Sequence, residues 1–373
     1  VSVNLPSRRS ALALLGAATA GTTLAACSDA SAPGKTQTAG ANKAGDKGTV
    51  NIYTWPDYFS SKSLKTFTKK TGISPNISTY DSSDTVFTKL NSPAGAGFDI
   101  VVPSSGWIQP LADKGLLAEI DRDKVDLSSL DPSLLDREYD PGNKYSIPKD
   151  WGMLGIVYNP DAVRHPIRTW QDFLDAGSQK GVSGKVRMSS SAWETIGISL
   201  WIDGKNWNTV GAAAIKDAAK RIKAFAPHVK TFEGFDPATL ANGSVVLAQC
   251  NQAAARTAIA QNPKLKWVIP GPRSELWVDS YALPKKSHNP DAAYKFLNYE
   301  LTPSVQLHET EFLGYPAALK GLRRKMPKSV KNSDLIFGGK HVDFDKLTTF
   351  VVNKKTIGVY QQQQTEIQAA AGK

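Results

Sequence analysis

Apolar positions change character abruptly at Val50. Val50, Ile52 and Tyr53 read as a strand, the first after a long polar stretch. Ser60 to Thr71 then carries Leu64 and Phe67 on one helical face and is closed by Gly72, a helix terminator. Ile73 to Tyr80 alternates like a strand. Ser83 heads a helix bearing Val86, Phe87 and Leu90. Phe98 to Val102 is a short apolar run suited to a strand buried on both faces. Trp107, Leu111 and Leu116 return to roughly helical spacing. This β-α-β-α-β-α order predicts an α/β lobe with a mainly parallel sheet.

The second half repeats the pattern more loosely. Met153 to Tyr158 reads as a strand, Trp170 to Leu174 as a helix and Lys185 to Met188 as a strand. Ser189-Ser190-Ser191 then leads into a helix from Ala192 to Ile202. Asp236 to Ala260 is mostly helical, with Val245 to Ala248 as a strand between two helices. Leu265 to Ile269 and Leu276 to Leu283 read as strands, and Asp291 to Leu301 and Pro303 to Glu311 as helices. Two α/β lobes of similar size enclose a cleft at their junction, a favoured place for a ligand.

The residues before Val50 predict no core. Arg8 and Arg9 precede an uncharged run, Ala11 to Ala26, too short and too rich in small residues for a membrane span. Residues 1–26 read as a secretory signal for the Sec or, through Arg8-Arg9, the Tat route. Leu24-Ala25-Ala26-Cys27 resembles a lipobox, so Cys27 is expected to be lipidated and to hold the chain at the outer face of the cytoplasmic membrane. Residues 27–49 lack aromatic and large aliphatic side chains and are expected to be a flexible tether.

Composition narrows the chemistry. With two cysteines and Cys27 lipidated, Cys250 has no disulfide partner, and the spacing gives no cysteine-based zinc site. A monomer held by its core is expected. Five histidines are scattered, with no His-Glu-x-x-His pattern, no nucleophile elbow, no Walker loop and no dinucleotide fingerprint. No catalytic residue, metal site or cofactor is expected. The net charge is +11, and the densest basic stretch, Lys320 to Lys328, reads as a surface patch facing membrane or transporter. It lacks the interleaved aromatics of a nucleic-acid groove, so no nucleic-acid partner is expected.

A set of ordered pieces carries a resemblance. They are Tyr53-Thr54-Trp55-Pro56-Asp57-Tyr58, Thr71-Gly72-Ile73, Ser78-Thr79-Tyr80-Asp81-Ser82, Phe98-Asp99-Ile100-Val101-Val102-Pro103-Ser104, Tyr145-Ser146-Ile147-Pro148, Trp151-Gly152, Trp277-Val278-Asp279-Ser280 and Gly314-Tyr315-Pro316. From residue 50 to about 320 the chain resembles the spermidine/putrescine-binding proteins of bacterial polyamine importers. The resemblance implies a two-lobed periplasmic-binding-protein fold of the type II kind. Residues 50–151 plus 281–318 would form one lobe and residues 152–280 plus 319–373 the other. It further implies a non-enzymatic receptor that takes a polyamine-like cation in the cleft and delivers it to the permease of an ABC importer. Protonated amines seek anionic acceptors, and their methylenes favour aromatic faces that also attract the charge.

By the same resemblance, the ligand-binding positions fall on Trp55, Asp57, Tyr58, Ser104, Trp107, Ser191, Glu194, Asn251, Trp277, Asp279 and Tyr315. Three positions depart from the family's pattern. Ser191 replaces an aspartate, Asn251 stands near a lost aromatic, and Gly106 replaces a tyrosine, with Trp107 beside it. These departures leave the ligand open between a shorter diamine, another cationic amine and a different small metabolite. A secreted cleft enzyme and a sensor or wall-binding protein are the competing readings from other classes.

Overall fold

The computed structural model describes residues 48–80, 83–232, 236–330 and 333–372. The expected signal, Cys27 and nearly all of the tether lie outside the described residues. Ten strands form one curled sheet: β1 (Thr49–Thr54), β2 (Ser74–Thr79), β3 (Ile100–Val101), β4 (Ser146–Tyr158), β5 (Val186–Arg187), β6 (Val229–Thr231), β7 (Leu247–Asn251), β8 (Lys266–Val268), β9 (Ser274–Ala282) and β10 (Leu347–Thr348). The main order is β2-β1-β3-β9-β4-β7-β5-β6, with β10 on β9 and β8 on β4.

The flanks of this sheet are parallel, as β-α-β crossovers require: β2-β1-β3 on one side, β7-β5-β6 on the other. The middle departs from the mainly parallel expectation, because β3–β9, β9–β4 and β4–β7 are antiparallel. The reason is the path of β4. Its first part, Ser146–Met153, pairs with β9, and its last part, Leu154–Tyr158, pairs with β7. One fully buried strand therefore passes from one half of the molecule into the other.

Local chemistry explains the elements the pattern predicted. Ser60 caps the helix Ser61–Thr71 by accepting from Ser63 N at 3.1 Å, and Gly72 ends it at φ 72°, a conformation that favours glycine. Sequence reading placed only Met153–Tyr158 of β4 in a strand. Pro148, Lys149 and Asp150 interrupt the apolar pattern upstream, yet all three are buried there. Lys149 Nζ meets Asp150 Oδ2 at 2.6 Å with almost no solvent contact, which offsets the cost of burying either charge.

Two hydrophobic cores lie on either side of the crossing. One joins Val50, Ile52, Phe67, Ile100 and Ile147 to Leu276, Val278 and Phe296. The other joins Ile156, Trp170, Phe173, Trp201, Trp207 and Ile222 to Tyr360 and Ile367. The 319–373 segment was expected to belong wholly to the second lobe. Instead Leu319, Leu322, Ile336, Phe337 and Leu347 pack in the first core, and only from Phe350 does the chain enter the second. Two helices that the sequence reading did not place, Ala212–Phe225 and Ile357–Ala370, pack on each other and on the helix Ala192–Ile202. The last is hard to read because Gln361–Gln364 looks solvated, whereas Gln363 and Gln364 are buried.

Candidate functional site

A cavity of about 390 Å³ opens between the two cores. Trp55, Tyr58, Ser104 and Trp107 line it from one side, Trp193, Glu194 and Asn251 from the other, with Glu275, Trp277 and Asp279 of β9 between them. A further space of about 530 Å³ shares Trp55, Ser104, Trp107, Trp193 and Glu194, and extends to Ser191, Gln361 and Gln364. Of the residues lining both spaces, three are carboxylates and none is basic. The chain as a whole carries +11.

Strand alternation builds the floor. Glu275, Trp277 and Asp279 lie two residues apart on β9, so their side chains project from one face. Trp277 can lie there because Gly152 of β4 is its register partner; a Cβ at 152 would stand 2.1 Å from the indole. Tyr315 meets Trp277 edge to face at 4.9 Å between ring centres. Trp55, Trp107, Trp193 and Trp277 are all half-buried, whereas Trp170, Trp201 and Trp207 fill the second core completely.

Asp279 is buried at the first end of the cavity and receives two hydroxyl donors. Ser104 Oγ donates to Oδ1 at 2.5 Å and Tyr58 OH reaches Oδ2 at 2.5 Å. The same Tyr58 hydroxyl is also 2.5 Å from Asp150 Oδ1. One hydroxyl proton cannot serve two carboxylates at once. Burial, and then the charge of Asp150, push the Asp279 carboxyl up to about 7, so near neutrality it holds a proton part of the time. Lys149 Nζ stands 4.1 Å from the centre of the Tyr58 ring and balances Asp150 from behind.

The second end is built differently. Glu194 lies in the first turn of the helix Ala192–Ile202, which Ser191 caps by accepting from Glu194 N at 3.4 Å. The Glu194 and Glu275 side chains hydrogen-bond to each other, and burial pushes both above the usual carboxylate range. Arg187, whose guanidinium donates to Gln249 O, draws Glu194 back down in part.

Of the sequence-predicted residues, the structure brings Trp55, Tyr58, Ser104, Trp107, Glu194, Asn251, Trp277, Asp279 and Tyr315 to the inner cavity and Ser191 to the outer space. Asp57 stands apart from them. It lies in the turn after β1 at φ 54° and is exposed, while its neighbour Tyr58 turns inward and is 8 % exposed. The departures also find local reasons. Gly106 carries no side chain because Phe350 O comes within 2.7 Å of where its Cβ would be, and Val352 N donates to Gly106 O. Phe350, stacked on Trp193 at 4.9 Å, thus supplies a ring in this part of the wall. Asn251 caps the following helix through Ala254 N at 2.9 Å and hydrogen-bonds Tyr315.

Sequence reading missed Trp193, Glu275, Phe350 and Asp150. Glu275 was detectable, since Glu275-x-Trp277-x-Asp279 extends by one residue the one-face pattern of the strand expected over Leu276–Leu283. Phe350 was not, because only the chain path past Gly106 puts it there. Among the described residues, no group of three or more His, Cys, Asp or Glu is placed to hold a metal, and no helix is long and apolar enough to cross a membrane.

An interlobe cleft beside a crossing strand is the architecture of a protein that holds a small solute between two lobes. The family model for bacterial extracellular solute-binding proteins matches residues 62–337, and the chain belongs to that family. It is 32% identical over 319 residues to spermidine/putrescine-binding periplasmic protein 1 of Haemophilus influenzae, covering 84% of this chain and 87% of that protein. It is 28% identical over 329 residues to the putrescine-binding periplasmic protein SpuD of Pseudomonas aeruginosa, covering 84% and 89%. The crystal structure of the spermidine/putrescine ABC transporter substrate-binding protein PotD of Streptococcus pneumoniae superposes with a TM-score of 0.75 at 26% identity, covering 87% of this chain and 99% of that one. The fold is the two-lobed one of these proteins.

Proposed function

We propose that the protein is the receptor of an ABC importer, that it binds a linear polyamine cation of the putrescine/spermidine class in the interlobe cavity, and that it catalyses no reaction. One observation carries this reading: an aromatic-walled cavity with three carboxylates and no basic side chain, in a chain of net charge +11. Carboxylates pair with ammonium groups, and the tryptophan faces attract the charge while covering the methylenes. The magnitudes suffice. Micromolar binding needs about 8 kcal/mol. Two charge-assisted contacts at roughly 1.5–3 kcal/mol each and two or three cation–π contacts at about 0.5–2 kcal/mol each reach that range before ordering costs. The names of the relatives point to the same ligands.

The test is titration of putrescine, cadaverine and spermidine, followed by tryptophan fluorescence and calorimetry. Saturable one-to-one binding without product formation is expected. Failure of all three to bind below millimolar concentration would overturn the amine assignment and favour a different small metabolite.

Attachment to the outer face of the cytoplasmic membrane through a lipid on Cys27 is part of the same proposal, supported by Leu24-Ala25-Ala26-Cys27 and by the tether composition. Cys27→Ala should move the protein from the membrane fraction to the soluble one; an unchanged distribution would count against it. A monomer is proposed too, and the buried free Cys250 offers no intermolecular thiol, so sizing with and without reductant should give one species.

A further inference from the structure

Glu275 has no counterpart among the positions that the family resemblance supplied, yet it stands in the cavity wall. It is 4 % exposed, and its Oε2 has no hydrogen-bond partner among the described residues. Its other contacts are with Glu194 and Trp193. Removing a carboxylate oxygen from water without giving it a partner is costly unless a ligand completes the site. Ser191, where the relatives are expected to hold an aspartate, occupies itself with capping its own helix. A carboxylate is therefore lost on one wall and gained on β9.

We propose that Glu275, together with Glu194, anchors the second ammonium group of a linear diamine whose first ammonium sits on Asp279, and that this makes Glu275 a specificity-determining residue of the receptor. The inference rests on the amine reading above. Trp277 lies midway between the two anchors on the same strand face, where it covers the methylenes. Four residues of strand separate the anchoring Cα atoms by about 13 Å, and an ammonium about 2.8 Å inside each carboxylate leaves a gap between nitrogens of roughly 7 Å, suited to a diamine with about four or five methylenes.

The charge balance is closed. Without ligand, Glu194 and Glu275 share one proton, because burial and mutual repulsion prevent both from ionising, and Arg187 offsets the remaining charge. The other groups that touch the pair, the Ser189 hydroxyl and Trp193, are neutral. When an ammonium enters, the shared proton leaves to solvent, so one positive charge replaces another and the buried site stays neutral. A monoamine seated on Asp279 leaves that proton in place.

Two measurements test this on the full chain. In the wild-type protein at pH 7, calorimetry in two buffers of different ionisation heat should show more protons released per putrescine than per butylamine; equal release overturns the proposal. In Glu275→Gln, which keeps the shape of the side chain, the preference for putrescine over butylamine should fall at least tenfold. An unchanged preference in a variant with wild-type circular dichroism also overturns it. If the wild-type protein binds neither amine below millimolar concentration, the receptor reading itself fails and takes this inference with it. If both amines bind and only the preference is unmoved, the receptor reading stands and Glu275 is no anchor.

Discussion

The two ends of the cavity hold negative charge in opposite ways. At Asp279 the carboxylate is met by Ser104 and Tyr58 from the first lobe, and the neighbouring Asp150 is paired with a buried cation, Lys149. The donors to Asp279 are in place before any ligand arrives. At Glu194 and Glu275 two carboxylates face each other, and one oxygen is left without a partner. At the first end the hydroxyl donors are preorganised; at the second, burial and mutual repulsion raise both carboxyls, so the pair resists full ionisation. Preorganised donors lower the cost of binding at the first end; at the second the two raised carboxyls have no such pair of hydroxyl donors. The difference arises from position. Asp279 is crossed by hydroxyl-bearing loops of the first lobe, while Glu275 meets a carboxylate brought by a helix of the second.

The largest expected effect comes from removing the charge at the preorganised end. Asp279→Asn should weaken putrescine binding by about ten- to a hundredfold, since a charge-assisted contact becomes a neutral one. Calorimetry gives the number, and an unchanged affinity would mean that the first lobe does not hold the ammonium. The fold should persist, because the amide oxygen still accepts from Ser104, and Tyr58, left facing the amide nitrogen, keeps Asp150 as its acceptor.

Next is the pH profile. The Asp279 carboxyl is raised to about 7 and must lose its proton before an ammonium binds, while the amine itself stays protonated. For butylamine, which leaves the Glu194–Glu275 proton in place, affinity should therefore rise about tenfold from pH 6 to pH 8 and then level off, the sign following from a raised carboxylate; for putrescine, which also displaces that proton, the rise should be steeper. For the empty receptor the sign is opposite. Stability linked to the protonated Asp279 is full below the ordinary carboxylate range and is lost as pH rises through about 7. Melting of the empty protein should thus fall between pH 5 and pH 8, with ligand restoring most of the loss. A flat affinity profile would show that Asp279 is already ionised in the empty cleft.

A smaller effect is expected from Gly152→Ala. The added methyl would meet the Trp277 ring at 2.1 Å and backbone neighbours hold the strand, so the indole must tilt off the cavity floor. Binding should weaken by about fivefold and stability by roughly 1–3 kcal/mol, as for other overpacked sites. Trp277→Ala should match the loss of affinity, which separates the ring's role from strain. The smallest effect is at Asp57, which faces solvent: Asp57→Asn should change affinity by less than about twofold, the scale of an exposed charge screened by salt. A larger loss would mean that the turn closes over the ligand.

Much of this site was legible in one dimension. The strand that carries Trp277 and Asp279 shows itself by alternation, and once β9 is read as a strand, Glu275 follows from the same period. Trp55 and Tyr58 are marked by a turn directly after a predicted strand. Asp57 could not be placed from the sequence because a turn sends adjacent residues in different directions, and its φ of 54° leaves it exposed while Tyr58 is buried.

The alternating and helical periods, the capping residues Ser60 and Ser191 and the glycine stop at Gly72 determined the local elements, because they depend on neighbours within a few residues. The polar, small-residue stretch before Val50 likewise excluded a core there, because burial needs apolar area. What only the tertiary structure decided depends on contacts far apart in the chain. The passage of β4 from one half of the sheet to the other, the seating of Phe350 against Gly106 and the meeting of Glu194 with Glu275 bring together residues tens to hundreds of positions apart. A periodic pattern specifies which face of an element turns inward, but not which other element it will face, and the charge state of a carboxylate is set by what it faces.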